Sequence, residues 1–279
     1  MDINNSTLPN KTAVIVISDL HINSTVAICP PIVQLDDGGT YNASRTQRWL
    51  WRCWLDFWAR VQEDAGGYRK ILVINGDLGE LDTKRRSVQI ITANKSTILN
   101  TVRDVLEPAS WDALYIVRGT RAHVGKSAWL EEEIGKDLMA QPSDKDIASW
   151  WQIRASVEGV RFDISHHASM GRLPWNRTNS AVKMASETIW NYMVERRAEP
   201  PNIVIRSHNH IYVDAAVNGT HSYFTPAWTA ATEFAYRIGF ENTIANVGGL
   251  VFLCENGEYK MKHYKYTPDR ERRVWQMKL

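Results

Sequence analysis

Three short apolar runs constrain this chain more than any other feature: AVIVI at 13–17, ILVIN at 71–75 and ALYIV at 113–117. Each is rich in β-branched residues, bounded by polar ones and short, which predicts buried strands. Helical spacing fills the intervals. Residues 45–63 carry Leu50, Trp54, Phe57 and Val61 on one stripe, with Ser44 as the N-cap. Residues 94–107 read as a second helix that stops at Pro108, and 127–140 as a third with Ser127 as its cap. Trp49, Trp51 and Trp58 fall off the first stripe, as a second packing layer or an oligomer contact.

The second half changes character after the polar break PSDKD at 142–146. Residues 150–167 read as a hairpin turning at Glu158-Gly159, 178–197 as an amphipathic helix closed by Pro200-Pro201, and 202–210 as a strand. Further strands and turns follow, with Asn256-Gly257 a second hairpin signal. No repeat breaks the chain, so the expectation is a polar tail over 1–12 and one α/β domain with mixed sheets over 13–279.

The polar chemistry sits where strands end. Asp19 and His21 lie in SDLH, Asp77 in NGD, His123 in GTRAH, His166 and His167 in ISHHAS, and His208 and His210 in SHNH. Six of the eight histidines fall in these segments. Ligands of open α/β sheets collect outside the carboxyl ends of strands, so residues remote in sequence can meet there. Imidazole and carboxylate donors without thiolates suit Mn²⁺, Fe, Ni²⁺ or Zn²⁺. A pair of such ions needs one carboxylate to bridge them, and it can clamp both oxygens of an in-line displacement at phosphorus. His166 and His167, being adjacent, are expected on opposite faces of a strand, with His167 behind the site or in the core. Glu80 is either a residue that orients a ligand or a solvated acid, and His221 and His263 read as structural.

In this order the motifs SDLH, NGD, a Gly-led turn, a strand-end His and SHNH resemble the calcineurin-like metallophosphoesterase superfamily, over residues 13 to 214. The resemblance implies two packed mixed β-sheets flanked by helices, a four-layer α/β/β/α sandwich. It also implies a ligand set: Asp19, His21 and His210 on a first metal, His166 and His208 on a second, and Asp77 bridging both. The implied function is a dinuclear metal-dependent phosphoesterase that uses a metal-bridging hydroxide for in-line attack, with Mn²⁺ the favoured ion. Two positions depart from the family pattern. Its third motif is usually Gly-Asn-His, with the Asn on the second metal; here Gly119-Thr120-Arg121-Ala122-His123 lacks that Asn and brings the His two residues late. This GT-x-x-H form resembles those of bacteriophages and prophages. His123 is then a general acid or a replacement ligand, and Thr120 and Arg121 are candidate contacts to metal or substrate. Ser207 stands where Gly usually precedes the histidine pair.

Composition narrows the partners. A formal charge of +2, from 33 basic and 31 acidic residues, gives no strong pull toward duplex DNA, which rewards a basic face. The runs KRR at 84–86 and RERR at 270–273 read as solvated surface. A phosphate diester or nucleotide is the favoured substrate, with the loop at 22–44 and the tryptophans able to shape a pocket that stacks a base. A DNA or RNA nuclease of the same fold is the nearest alternative, and a degenerate binding scaffold the reading from another class. Three cysteines without paired spacing, no apolar leader and no run near the ~20 residues of a membrane span predict a cytoplasmic chain with no membrane partner. The oligomeric state stays open.

Overall fold

The computed structural model describes residues 11–81, 89–171, 173–195, 199–232 and 246–268. Most of the polar tail and both basic runs lie outside them.

The three apolar runs are strands β1 (Lys11–Ile17), β4 (Arg69–Asn75) and β5 (Ala113–Val117), parallel to one another. Between β1 and β4 come a small hairpin, β2 (Ile32–Gln34) with β3 (Thr40–Asn42), and the helix α1 (Arg45–Asp64). Ser44 caps α1 in a reciprocal capping box with Gln47. Helix α2 (Lys95–Leu106), capped by Asn94, joins β4 to β5. A single turn, α3 (Arg121–Val124), and then α4 (Trp129–Asp137) follow β5. Ser127 is not the cap of α4. Ser127 and Ala128 are both left-handed (φ 54°) after Gly125 (φ 85°), and this reversal between α3 and α4 delays the helix to Trp129.

The second half builds its own sheet. β6 (Ile153–Val157) and β7 (Val160–Ile164) form the expected hairpin, with Glu158 and Gly159 both at positive φ. Helix α5 (Arg177–Val194) leads to β8 (Ile203–Arg206), then β9 (Val213–Val217) and β10 (Thr220–Phe224). Their order is β6-β7-β8-β10-β9, with β7, β8 and β10 parallel. The chain then returns: β11 (Val247–Glu255) pairs antiparallel with β1, and β12 (Glu258–Tyr266) with β11 across the Asn256-Gly257 turn. The first sheet therefore runs β12-β11-β1-β4-β5.

Strand alternation sorts the layers. Val14, Val16, Val73 and Val117 face the second sheet and meet Phe162, Ile164, Ile203, Ile205 and Tyr223. Ala13, Ile15, Ile17, Leu72, Ile74, Leu114 and Ile116 face the opposite way, onto Trp54 and Phe57 of α1, Ile98 and Val102 of α2, and Leu130 and Ile134 of α4. Helix α5 covers the far side of the second sheet through Ala181, Ala185 and Thr188. The result is a four-layer α/β/β/α sandwich. Trp58 is buried in the α1 layer, and Trp49 and Trp51 pack against the same cluster, which makes the three a packing layer. Among the described residues no helix is long and apolar enough to cross a membrane.

Candidate metal centre

Parallel strands β1, β4 and β5 of one sheet and β7 and β8 of the other end at the same rim of the sandwich. A buried polar seam joins the rims. Asn75 donates its side-chain amide to the Ser207 hydroxyl (2.6 Å) and the Ser165 carbonyl (3.1 Å), and Thr225 contacts both Ser207 (2.8 Å) and Ser18 (2.6 Å). Ser207 is thus a member of the seam.

Past the strand ends the backbone turns hard. Asp19 (φ 50°), His21 (43°), Asp77 (51°), His208 (74°) and His210 (56°) are all left-handed, a conformation that costs a non-glycine residue roughly 1–2 kcal/mol. Such conformations persist only where surrounding structure over-determines them. Here the ladder continues beyond β1: Asp19 N–H donates to Gly76 O (3.0 Å), His21 N–H to Asp77 O (3.0 Å) and Ile22 N–H to Leu78 O (3.1 Å). Two glycines make room. A Cβ on Gly76 would strike the His166 ring, and one on Gly119 would strike the Asp77 backbone and carboxylate.

Three groups of donors result, each with its ligand atoms within 4.8 Å of one another: Asp19, His21 and His210; His21, Asp77 and His123; and Asp77, His166 and His208. His21 belongs to the first two groups and Asp77 to the last two. His210 Nε2 is 3.3 Å from Asp19 Oδ1 and 3.2 Å from His21 Nε2. His166 Nε2 is 3.2 Å from Asp77 Oδ2, while His21 Nε2, His123 Nε2 and His208 Nδ1 each lie 4.0 Å from that same oxygen.

Hydrogen bonds behind the rings fix which nitrogen faces in. His166 donates Nδ1–H to Asn75 O (2.7 Å), and His21 and His123 both present Nδ1 to Glu80 Oε2 (3.0 and 2.8 Å). A carboxylate or carbonyl can only accept, so in the neutral imidazoles all three Nε2 atoms carry lone pairs toward the interior. Asp77 Oδ1 accepts from the Thr120 backbone N–H, and Asp19 Oδ2 from Ser18 Oγ (2.7 Å) and the His208 backbone N–H (3.2 Å).

Asp19 Oδ1, Asp77 Oδ2 and His166 Nε2 remain buried without any hydrogen-bond partner. Unpaired buried acceptors are costly, and a cluster of them aimed at one place suits a cation. The titration behaviour agrees. Burial opposes charge at Asp19, yet His210 and His166 bring its carboxyl down to about 2. Burial likewise pushes the His166 imidazole down, but Asp77 and Asp19 outweigh it and raise it to about 10. Asp77 is held well below the usual carboxylate range against its burial, chiefly by His166, and burial likewise opposes charge on Glu80, yet His123 and His21 bring it down to about 2. Burial lowers His21, whereas at His123 Glu80 outweighs burial and raises it. The site thus draws positive charge onto itself.

The structure brings Asp19, His21, Asp77, His123, His166, His208 and His210 together. His123 joins them through local geometry. Thr120 stands at the N-cap of α3, and one helical turn returns residue 123 to its neighbourhood, with His123 N–H donating to Thr120 O (2.8 Å). Thr120 Oγ1 lies 3.3 Å from His208 Nδ1 and 3.5 Å from His167 Nε2, and Arg121 is exposed beside it. His167 corrects an expectation. Strand β7 ends at Ile164, so strand alternation no longer governs the next residues. Both imidazoles stay on the same rim with rings edge to face at 4.9 Å, and His167 is exposed there, not in the core. His221, bonded to Asp214 (3.0 Å), and His263, stacked on Tyr212, lie outside the donor groups.

Sequence reading missed Glu131. It is fully buried on α4, and both its oxygens accept from Gly119 N–H (2.9 and 3.1 Å), which holds the loop after β5 against Asp77. Burial pushes its carboxyl up to about 8, assisted by Asp77. Nothing in the run EEE at 131–133 distinguishes it. Asn75 and Ser18 were findable as polar residues closing apolar runs.

No family model matches the sequence, and no curated protein matches it. Solved structures of similar chain path include vacuolar protein sorting 29 from Cryptosporidium parvum (10% identity, 92% of this chain and 99% of that one, TM-score 0.44). A Vps29 from Entamoeba histolytica complexed with zinc is similar at 12% identity over 91% of this chain and 99% of that one, with a TM-score of 0.39. A protein described as a novel archaeal phosphodiesterase is similar at 12% identity over 90% and 99%, with a TM-score of 0.44.

Proposed function

We propose that the chain is a dinuclear metal-dependent phosphoesterase whose substrate is a phosphate diester or nucleotide. The observation that carries this reading is Asp77, a buried carboxylate shared by two donor groups, with Oδ2 unpartnered and faced by four imidazoles. Asp19, His21, His210 and Asp77 would hold a first cation, and Asp77, His166 and His208 a second, with Mn²⁺ the expected ion in this oxygen and nitrogen set. Bound there, two cations supply Lewis-acid polarisation of a phosphoryl oxygen and a water activated for in-line attack.

The chain's own residues do the rest. Asn75 and Glu80 keep ring nitrogens bare toward the interior, while Ser18 and Thr120 hold the far oxygens of Asp19 and Asp77. Exposed His208, His167 and Arg121, with half-buried Thr120, form the side from which a substrate can approach, and all of them can donate a hydrogen bond to phosphate oxygens. Without a cation these buried atoms are compensated only by protons on His166 and His210, whereas a cation pair satisfies them directly and stands open to that exposed side, which is the reason for preferring an enzyme to a scaffold.

The test is a panel of aryl phosphomonoester, bis-aryl phosphodiester, cyclic nucleotides and single-stranded DNA, each assayed with Mn²⁺ and with chelator. Metal-dependent hydrolysis of the diester is the expected outcome, and cleavage of DNA would make the chain a nuclease. No turnover of any member by protein carrying two ions per chain would overturn the reading.

A further inference from the structure

We infer that His123, held by Glu80, is a fifth protein donor to the first cation, and that the chain therefore binds its two cations unequally, the first tightly and the second weakly. The inference rests on the two-cation reading above and adds an order of filling.

Placement carries the first half. His123 Nε2 groups with His21 and Asp77, which belong to the first cation's donor set, and not with His166 and His208. One oxygen, Glu80 Oε2, takes the Nδ1 of both His21 and His123, so the two rings stand edge to face, centroids 4.6 Å apart, and turn Nε2 to the same place. Neither ring is free to swing. Leu81 N–H donates to His123 O (2.8 Å), and Glu80 N–H to Ile22 O (2.8 Å), which ties the loops after β1 and β4 to α3. With Nδ1–H given to Glu80 and Nε2 to a cation, His123 has no proton to offer a leaving oxygen. Positioning is the work of Glu80; donation is that of His123.

Asymmetry carries the second half. The first set would join two triads that share His21, one completed by Asp19 and His210 and the other by Asp77 and His123, with Asp19 and His21 at 0% and 2% exposure and the His123 side chain at 31%. The second has Asp77, His166 and His208, and the His208 side chain is 40% exposed. Thr120 Oγ1 lies 3.3 Å from His208 Nδ1 at the edge of that second group, and a neutral hydroxyl is a poorer donor than an amide oxygen. Five oxygen and nitrogen donors exceed the four of a tetrahedral zinc site and suit an ion of higher coordination number. Three donors, of which Asp77 and His166 are buried and His208 is exposed, hold an ion less well than five.

The experiment titrates chelator-stripped full-length protein with Mn²⁺ by calorimetry and with Co²⁺ by visible absorption, with circular dichroism confirming the fold of each variant. Wild type is expected to show two steps at least tenfold apart. His123→Ala should weaken the tighter step and leave the weaker one in place. Glu80→Ala should weaken the tighter step by roughly 10–100-fold, the usual cost of losing a residue that orients a ligand, and Glu80→Gln should recover part of it. Thr120→Asn should tighten the weaker step. Two equal steps, an unchanged tighter step in His123→Ala, or an unchanged weaker step in Thr120→Asn would overturn the inference while leaving the two-cation reading intact. Wild type that binds no ion would overturn both.

Discussion

His166 Nε2 and Asp77 Oδ2 face each other at 3.2 Å, both buried, and a neutral His166 has no hydrogen for that contact because it gives its own to the Asn75 carbonyl. Two lone pairs at that separation require a positive charge between or beside them. A proton supplies it in the bare chain, which is why Asp77 and Asp19 raise this imidazole to about 10. A divalent cation supplies it better.

Asp77→Asn keeps the volume and removes the charge shared by both donor groups. Turnover of the aryl diester should fall by several orders of magnitude and metal content by elemental analysis should drop below two ions per chain. Wild-type rates in this variant would mean that the centre lies elsewhere.

Metal binding should also appear as stability. Ligand that binds only the folded chain adds about 2.7 kcal/mol at a hundred times its dissociation constant, so Mn²⁺ should raise Tm and chelator lower it. Imidazoles must be deprotonated to bind, and His166 holds its proton up to about pH 10, so the increment should shrink steadily as pH falls across the whole range below that value. Calorimetric scans with and without Mn²⁺ from pH 5 to pH 8 measure it, and an increment independent of pH would contradict the imidazole donors.

Gly119→Ala places a methyl group against the Asp77 backbone and carboxylate. Backbone cannot yield as a side-chain tip does, so the loops must separate, at a cost of about 1–3 kcal/mol. Activity should fall with Tm, and metal content with both. Crystallographic or calorimetric evidence of an unperturbed site would refute the close approach.

Glu131 links pH to stability without touching a donor. Its folded pKa, raised to about 8 by burial, exceeds the value of about 4.3 in an unfolded chain. Between those values the folded state binds more protons than the unfolded one, so this group's contribution declines as pH rises from about 4.5 to 8. Glu131→Gln mimics the protonated side chain. Comparing denaturant midpoints, the variant should gain on wild type as pH rises through that window, and a constant difference would show that Glu131 is ionised throughout.

Trp54 lies beneath the first sheet with its ring nitrogen donating to Val105 O (2.7 Å). Trp54→Phe keeps most of the packing and strands that buried carbonyl, for an expected loss of about 1–3 kcal/mol. Residual activity per folded molecule should be unchanged, because the centre lies at the strand ends and not under this helix.

Local sequence determined a good deal. The β-branched runs had to be strands, the stripe of Leu50, Trp54, Phe57 and Val61 had to face a sheet, and Ser44 with Gln47 had to begin a helix, because side-chain period and capping are properties of a few adjacent residues. The polar stops named nearly all of the converging donors for the same reason: parallel strands deliver their ends to one rim. Tertiary structure alone decided how the imidazoles are used. His123 reaches the site because α3 makes one turn after Thr120, Glu80 serves two rings because three loops are laced together, and His167 stays on the rim because β7 has already ended. Beyond a strand's last residue no periodicity dictates where a side chain points. Direction there is set by contacts between segments far apart in sequence, of which Glu131 against Gly119 is the clearest.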